Sequence, residues 1–331
     1  MMSKTMIRIL SAQDIRQALP MCEAVAVMKE AFAELSAGRV TMPVRTHIDI
    51  SAHAGTSLFM PCFAERFGRI GLKVVNLFDN NPAKGLPRIQ GLVCLFEGQT
   101  GSPIALLNGT YLTALRTGAA SGAATDLLAR PDAAIVAIFG AGVQGRTQLE
   151  GVCAVRDIHR ALVVDPAADA AATFAAEMSR ELGIEATAAA SPQDALCSAD
   201  VICTATLSKT PVFADKDLAP GAHINAVGSY KPDVQEIPTE TVRRALLVVD
   251  HRTSALAETG DLIIPIRKGM IQESDIHAEL GEIAAGISSG RASETGITLF
   301  KSVGLAIQDL AAAARAFENA AKGGLGQLVD L

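Results

Sequence analysis

The sequence predicts an α/β fold in two parts, one of them a doubly wound parallel sheet. Three observations carry this expectation. From about residue 132 short, almost uninterrupted apolar strands alternate with helical stretches. Before that point, strand-like segments follow one another with little but turns between them. One strand, Ile135-Val136-Ala137-Ile138-Phe139, also runs directly into the turn Gly140-Ala141-Gly142-Val143-Gln144-Gly145. At 331 residues the chain is long enough to bury two cores.

Taken in order, Ser11 is placed to cap a helix beginning near Ala12, and a second helix is expected over 22–36, closed by Ala37-Gly38. Strand character follows at 44–50, 56–61, 70–77, 91–97 and 103–107, punctuated by turns such as His53-Ala54-Gly55. Strands without intervening helices imply an antiparallel or mixed sheet. Beyond 135–139 the sequence predicts a helix over 143–155, a strand at 161–164, a helix over 167–182, and strands at 201–205, 223–227 and 245–249. This second part reads as a Rossmann-type domain. A long helix is expected over 297–319, since Leu299, Val303, Ala306, Leu310 and Ala313 share one helical face.

Composition removes several classes of function. The net charge is −6, and Lys and Arg are scattered rather than clustered, which argues against nucleic acid as a partner. No apolar stretch reaches the roughly 18–20 residues of a membrane span, and 1–10 lacks the apolar core and cleavage site of a leader. The six cysteines stand singly, which suits reduced thiols and a cytoplasmic location. The histidines show no metal-ligand spacing, so no metal is expected.

The glycine turn is the chemically informative motif. In a strand–turn–helix context the first glycine makes the tight turn, the second admits a pyrophosphate, and the third lets helix and strand pack. Gly140, Gly142 and Gly145 occupy those places, and the helix N-terminus supplies N–H groups to phosphate. Asp165 ends the next strand, where a carboxylate accepts from ribose hydroxyls and repels a 2′-phosphate, so NAD(H) is favoured while NADP(H) stays open. An Asp capping the next helix is the rival reading. The strand ends at Thr204 and at Asn225-Ala226-Val227-Gly228 point to the same crevice.

With these motifs go Pro43-Val44-Arg45, Gly71-Leu72-Lys73-Val74-Val75-Asn76, Leu112-Thr113-Ala114-Leu115-Arg116-Thr117-Gly118 and Thr298-Leu299-Phe300-Lys301-Ser302-Val303-Gly304. Over nearly its whole length the chain resembles the ornithine cyclodeaminase/mu-crystallin family. The resemblance implies a substrate-binding and dimerisation domain of residues 1–118 with 303–331, completed by the C-terminal helix. It implies a Rossmann domain of residues 119–302, and a homodimer. It places Arg45, Lys73, Arg116 and Val303 around an imino- or amino-acid substrate. Cofactor contacts are implied for Arg88, Arg116, Thr117, Val143, Gln144, Asp165, Thr204, Ile224, Asn225, Ala226, Val227 and Ser302. Independently of the family, Lys73 stands out as a lysine among apolar strand neighbours, where burial lowers its pKa and suits it to proton transfer.

Two departures matter. Ornithine cyclodeaminases and archaeal alanine dehydrogenases of the family carry a catalytic Asp just after the Asn-Ala-Val-Gly strand, whereas this chain has Ser229-Tyr230-Lys231-Pro232-Asp233, with Tyr230 at the acid's place. Arg88 stands where the cyclodeaminases have a threonine. A phenol is a poor general base near neutrality but a serviceable hydrogen-bond donor. The Ser-Tyr-Lys-Pro-Asp form resembles the ketimine reductase branch, which reduces 1-pyrroline-2-carboxylate and 1-piperideine-2-carboxylate with NAD(P)H. Lys73 and Tyr230 are then the expected catalytic pair. Cyclodeamination, alanine-type dehydrogenation and a non-catalytic, crystallin-like binding role remain the alternatives.

Overall fold

The computed structural model describes residues 6–331; Met1–Thr5, half of the segment read above for a leader, lie outside it. The chain divides into two compact units, one running through Arg116 and resuming at Leu305, the other spanning Thr117–Gly304.

The elements of the first unit begin with β1 (Met6–Leu10), α1 (Ala12–Ala18), α2 (Met21–Ser36), β2 (Val40–Thr41) and β3 (Thr46–Ile50). They continue with β4 (Gly55–Ala64), β5 (Arg69–Phe78), β6 (Ile89–Glu97) and β7 (Pro103–Asn108). Helix α3 (Gly109–Leu128) carries the chain past Arg116. The second unit then builds β8 (Ile135–Phe139), α4 (Val143–Cys153), β9 (Arg160–Val164), α5 (Ala168–Leu182), β10 (Glu185–Ala188), α6 (Pro192–Leu196), β11 (Val201–Thr204) and β12 (His223–Ala226). Its last elements are α7 (Thr239–Arg244), β13 (Leu246–Val249), α8 (Arg252–Glu258), α9 (Gly260–Arg267), β14 (Ile276–Glu279), α10 (Leu280–Ala284) and β15 (Thr298–Lys301). Helix α11 (Ala306–Gly323) and β16 (Gln327–Asp330) return to the first unit.

The first sheet is mixed, in the order β16-β1-β7-β6-β5-β4-β2 with β3 beside β4. Its neighbours are antiparallel except β1 and β7. Strand alternation divides its faces. Gly71, Lys73 and Val75 of β5 are buried, and an added Cβ at Gly71 would lie 3.0 Å from Leu310 of α11. The intervening residues Ile70, Leu72 and Val74 look the other way and stay partly exposed. At the amino end Ser11 caps α1 through a reciprocal box with Asp14, as the sequence leads one to expect.

The second sheet is wholly parallel, in the order β10-β9-β8-β11-β12-β15-β13-β14. Alternate residues of single strands feed two cores. Val136 and Ile138 pack with Leu149, Phe174 and Met178, while Ala137 and Phe139 pack with Leu196, Ile224 and Leu299. Strands buried on both sides need apolar residues at every position, which is why these segments read as unbroken apolar runs. The order reverses at β8/β11, and in such sheets ligands sit beyond the carboxyl ends of the strands at that point.

Two expectations are corrected. The helix expected over 297–319 begins at Ala306; residues 298–301 are instead a central strand, paired with β12 on one side and β13 on the other. The helical spacing of Leu299 and Val303 was coincidental, because a fully buried strand carries no period to distinguish it. Gly304, at φ +78°, separates strand from helix. The twenty-residue α3 was not expected at all. Its residues 112–125 are almost all buried, so no amphipathic stripe marks it.

Candidate active site

Lys73 projects from β5 toward the first turn of α11. Its Nζ lies 2.6 Å from Asp309 Oδ2, with both side chains only 2% exposed. Arg116, from α3, shares the same carboxylate: its Nε donates to Asp309 Oδ1 at 3.0 Å and its Nη1 to Gln308 Oε1 at 2.7 Å. Gln308 also accepts from the Leu305 N–H, which fixes it at the helix start. One buried carboxylate therefore serves two buried cations. Burial dominates the lysine and pulls its pKa down to about 7; the charge of Asp309 opposes this, while Arg116 and Arg45 reinforce it. Arg45, in the segment between β2 and β3, is half-buried.

The glycine turn of the second unit has the form a dinucleotide requires. Gly140 sits at φ +103°, and an added Cβ there would meet the carbonyl of Ala205 at 2.6 Å. A Cβ on Gly145 would stand 2.1 Å from the Gly140 carbonyl oxygen, whereas one on Gly142 would meet nothing within 4 Å. The first and third glycines are thus demanded by packing, and the second opens onto the space where a pyrophosphate approaches. Gly142 is the N-cap of α4, so the first N–H groups of that helix face the turn.

Beside it lies a cavity of about 760 Å³ lined by Gly140, Gly142, Asp165, Ser191, Thr206 and Ser208 among others, with no Lys or Arg among the described residues of its wall. Asp165 Oδ2 accepts from the Ala141 N–H and Oδ1 from the Ala167 N–H, each at 2.9 Å. The carboxylate braces the glycine turn and caps toward α5, yet still lines the cavity, so the two sequence readings of Asp165 coexist. An anionic wall without cations fits a ribose diol and not a 2′-phosphate.

The remaining sequence-selected residues differ in exposure and in what holds them. Val143, Gln144, Val227 and Tyr230 are exposed or half-buried at strand and helix ends of the second unit. Thr117 is its buried first residue. Thr204, Ile224, Asn225 and Ala226, by contrast, are fully enclosed. Thr204 Oγ1 donates to Glu236, and Asn225 bridges His223 and Thr125, so in this conformation they shape the crevice from beneath and offer it no surface. Ser302 and Val303 are tied to buried Asp250 through the serine hydroxyl and the valine N–H. Arg88 is held by Asp79 on the first unit, at 2.7 Å. Asp233 is exposed.

Sequence reasoning overlooked Asp309, Gln308, Glu236 and Asp250. One signal was available: Gln308-Asp309 are the only polar residues in the run 303–314, where ten apolar or small neighbours imply burial on all sides. A carboxylate so placed requires a cationic partner.

The family described as ornithine cyclodeaminase/mu-crystallin matches residues 4–324. A Delta(1)-pyrroline-2-carboxylate reductase of Bacillus cereus is 42% identical over 323 residues, which is 97% of this chain and 99% of that protein. The solved structure of Thermococcus litoralis Delta(1)-pyrroline-2-carboxylate reductase, in complex with NADH and L-proline, is 45% identical with a TM-score of 0.93, covering 97% of this chain and 99% of that one. An archaeal alanine dehydrogenase dimer with bound NAD is 35% identical with a TM-score of 0.91, covering 98% and 99% of the two chains.

Proposed function

The chain belongs to the ornithine cyclodeaminase/mu-crystallin family, and on that premise we propose that it reduces a cyclic ketimine, 1-pyrroline-2-carboxylate or 1-piperideine-2-carboxylate, to L-proline or L-pipecolate. It is an NAD(P)H-dependent oxidoreductase acting on a C=N bond, with NADH the preferred cofactor. The observation that carries this reading is the buried Lys73–Asp309 pair beside Arg116.

Reduction of a preformed imine asks little of a protein: the substrate carboxylate fixed, the C=N carbon placed, and one proton delivered to nitrogen. A bound nicotinamide supplies the hydride. Arg45 and Arg116 hold the carboxylate, with Arg116 oriented for the task by Asp309 and Gln308. Lys73 donates the proton. With its pKa near 7 the ammonium is substantially populated at neutral pH and yet gives up its proton readily. Asp309 keeps that ammonium charged despite its burial. Tyr230, half-exposed on the loop after β12, donates a hydrogen bond that orients the substrate. Gly140, Gly142, Val143, Gln144 and Gly145 take the pyrophosphate, and Asp165 the adenosine ribose.

The first unit is the substrate-binding and dimerisation domain. Ile70, Leu72, Val74, Leu92, Cys94 and Phe96 form a continuous apolar surface on the sheet face opposite Lys73, all at least partly exposed. A surface of this kind suits a second copy of the chain. Six free cysteines support a cytoplasmic setting.

The test is spectrophotometric. NADH and NADPH oxidation is followed with each cyclic imino acid, with pyruvate plus ammonia, and without substrate. Turnover of a cyclic imino acid, faster with NADH, is expected. Turnover confined to pyruvate plus ammonia, or ammonia release from ornithine with NAD, overturns the assignment.

A further inference from the structure

The second unit buries a charged cluster that the reaction above leaves without a task. Glu236, Asp261 and Lys301 are each fully enclosed. Lys301 Nζ lies 2.8 Å from Asp261 Oδ2, and Asp261 Oδ1 accepts from the backbone N–H groups of Glu236 and Ile237 at 2.7 and 3.0 Å. The Glu236 carboxylate reaches in the opposite direction. Its Oε1 accepts from Thr206 N–H at 2.7 Å and from Thr206 Oγ1 at 2.5 Å. Its Oε2 accepts from Thr204 Oγ1 at 3.2 Å and from Ser229 N–H at 3.1 Å.

All four groups around this carboxylate are donors, and they come from the tails of two neighbouring parallel strands. Thr204 ends β11 and Thr206 lies two residues beyond it; Ser229 follows β12. Lys301 is the last residue of β15, the strand on the far side of β12. Gly228 is glycine because a Cβ there would stand 2.3 Å from Glu236 Oε2. Buried charge is expensive, and a well-packed apolar cluster usually stabilises a fold at least as well, so the charges need a reason other than stability. Position supplies one. The glycine turn follows β8 and Asp165 follows β9; on the other side of β8 the tail of β11 borders the same cavity, and β12 and β15 lie beyond it, where the second half of a dinucleotide sits across the switch point. The residue after Ser229 is Tyr230, and the residue after Lys301 is Ser302.

We propose that Glu236, backed by Asp261 and Lys301, is the positioning residue of the nicotinamide half of the crevice, locking the carboxyl ends of β11, β12 and β15 in fixed relation. This rests on the dinucleotide reading above and extends it to residues that touch no ligand. Acceptor-only chemistry is the point: a glutamine of equal size would turn an NH₂ group against one backbone N–H, that of Thr206 or that of Ser229, and push that strand tail away, while the hydroxyl beside it can rotate to accept.

The experiment compares two ligands on the same protein, without substrate. ADP-ribose needs the glycine turn and Asp165 but carries no nicotinamide; NADH needs both halves. By titration calorimetry Glu236→Gln is expected to weaken NADH about tenfold, and ADP-ribose, which meets the cluster only through Thr206 in the cavity wall, by no more than about threefold. Thr204→Val removes one donor without stranding a charge and is expected to weaken NADH about threefold, again with ADP-ribose unchanged. This milder variant decides the matter should Glu236→Gln fail to fold. Equal loss for both ligands, or no loss for either in a folded variant, overturns the proposal. Because no imine is present, an enzyme that proved to act on another substrate would leave the comparison intact.

Discussion

Replacing Asp309 by Asn tests the proton-donor reasoning most directly, since the side chain keeps its shape, loses its charge and turns an NH₂ group toward one of its two cations. In the native protein that charge contacts Lys73 at 2.6 Å and Arg116 at 3.0 Å, all of them buried. An opposite charge in contact is worth roughly one to three pKa units. Without it, half-protonation of Lys73 moves from about pH 7 to roughly pH 4–6. At pH 7 the protonated fraction drops from about one half to about 10% or less. If Lys73 gives the proton, kcat/KM for imine reduction at pH 7 should fall between about fivefold and several hundredfold, and recover on acidification. The sign follows from the reaction: reduction consumes the ammonium form, so the native profile declines above about pH 7 and the variant's declines at lower pH. Stability should fall by no more than about 3–5 kcal/mol, the usual cost of breaking a buried pair, because Lys73 can discharge. The assay is a pH series of kcat/KM with 1-pyrroline-2-carboxylate, beside a thermal melt. A folded Asp309→Asn protein whose profile keeps its native midpoint would refute the role given to Lys73.

Three further outcomes are expected. Lys73→Ala should lower imine reduction by at least about 10²-fold while leaving NADH affinity within about twofold, as fluorescence titration would show; a comparable loss of NADH binding would make the lysine a cofactor residue. Tyr230→Phe should slow reduction only modestly, within about tenfold, and a loss as large as that of Lys73→Ala would make the phenol a proton carrier. Gly145→Ala places a Cβ 2.1 Å from a backbone oxygen and should destabilise by about 1–3 kcal/mol, with NADH binding lost before that of the imino acid; an unchanged NADH affinity would show that the turn does not hold the pyrophosphate.

What could be read from the sequence was whatever leaves a local pattern. The capped α1, the amphipathic α5 and the strand–turn–helix at 135–153 declare themselves through neighbours in sequence. Lys73 could be singled out because a charge inside an apolar strand has few explanations. The buried α3 and the strand at 298–301 could not, because uniform burial erases the periodicity that separates helix from strand.

The sequence by itself determined that a glycine turn follows a buried strand, that an acid ends the next one, and that cations stand at 45, 73 and 116. Tertiary structure alone decided which carboxylate answers those cations. Asp309 is 236 residues beyond Lys73 in the chain and arrives only because α11 packs on the face of β5 where Gly71 leaves room for Leu310. The same holds for Glu236, whose donors lie seven to thirty-two residues away on two different strands. A pattern in sequence records the local backbone; a charge's partner is fixed by burial, which no stretch of sequence specifies until distant elements have packed around it.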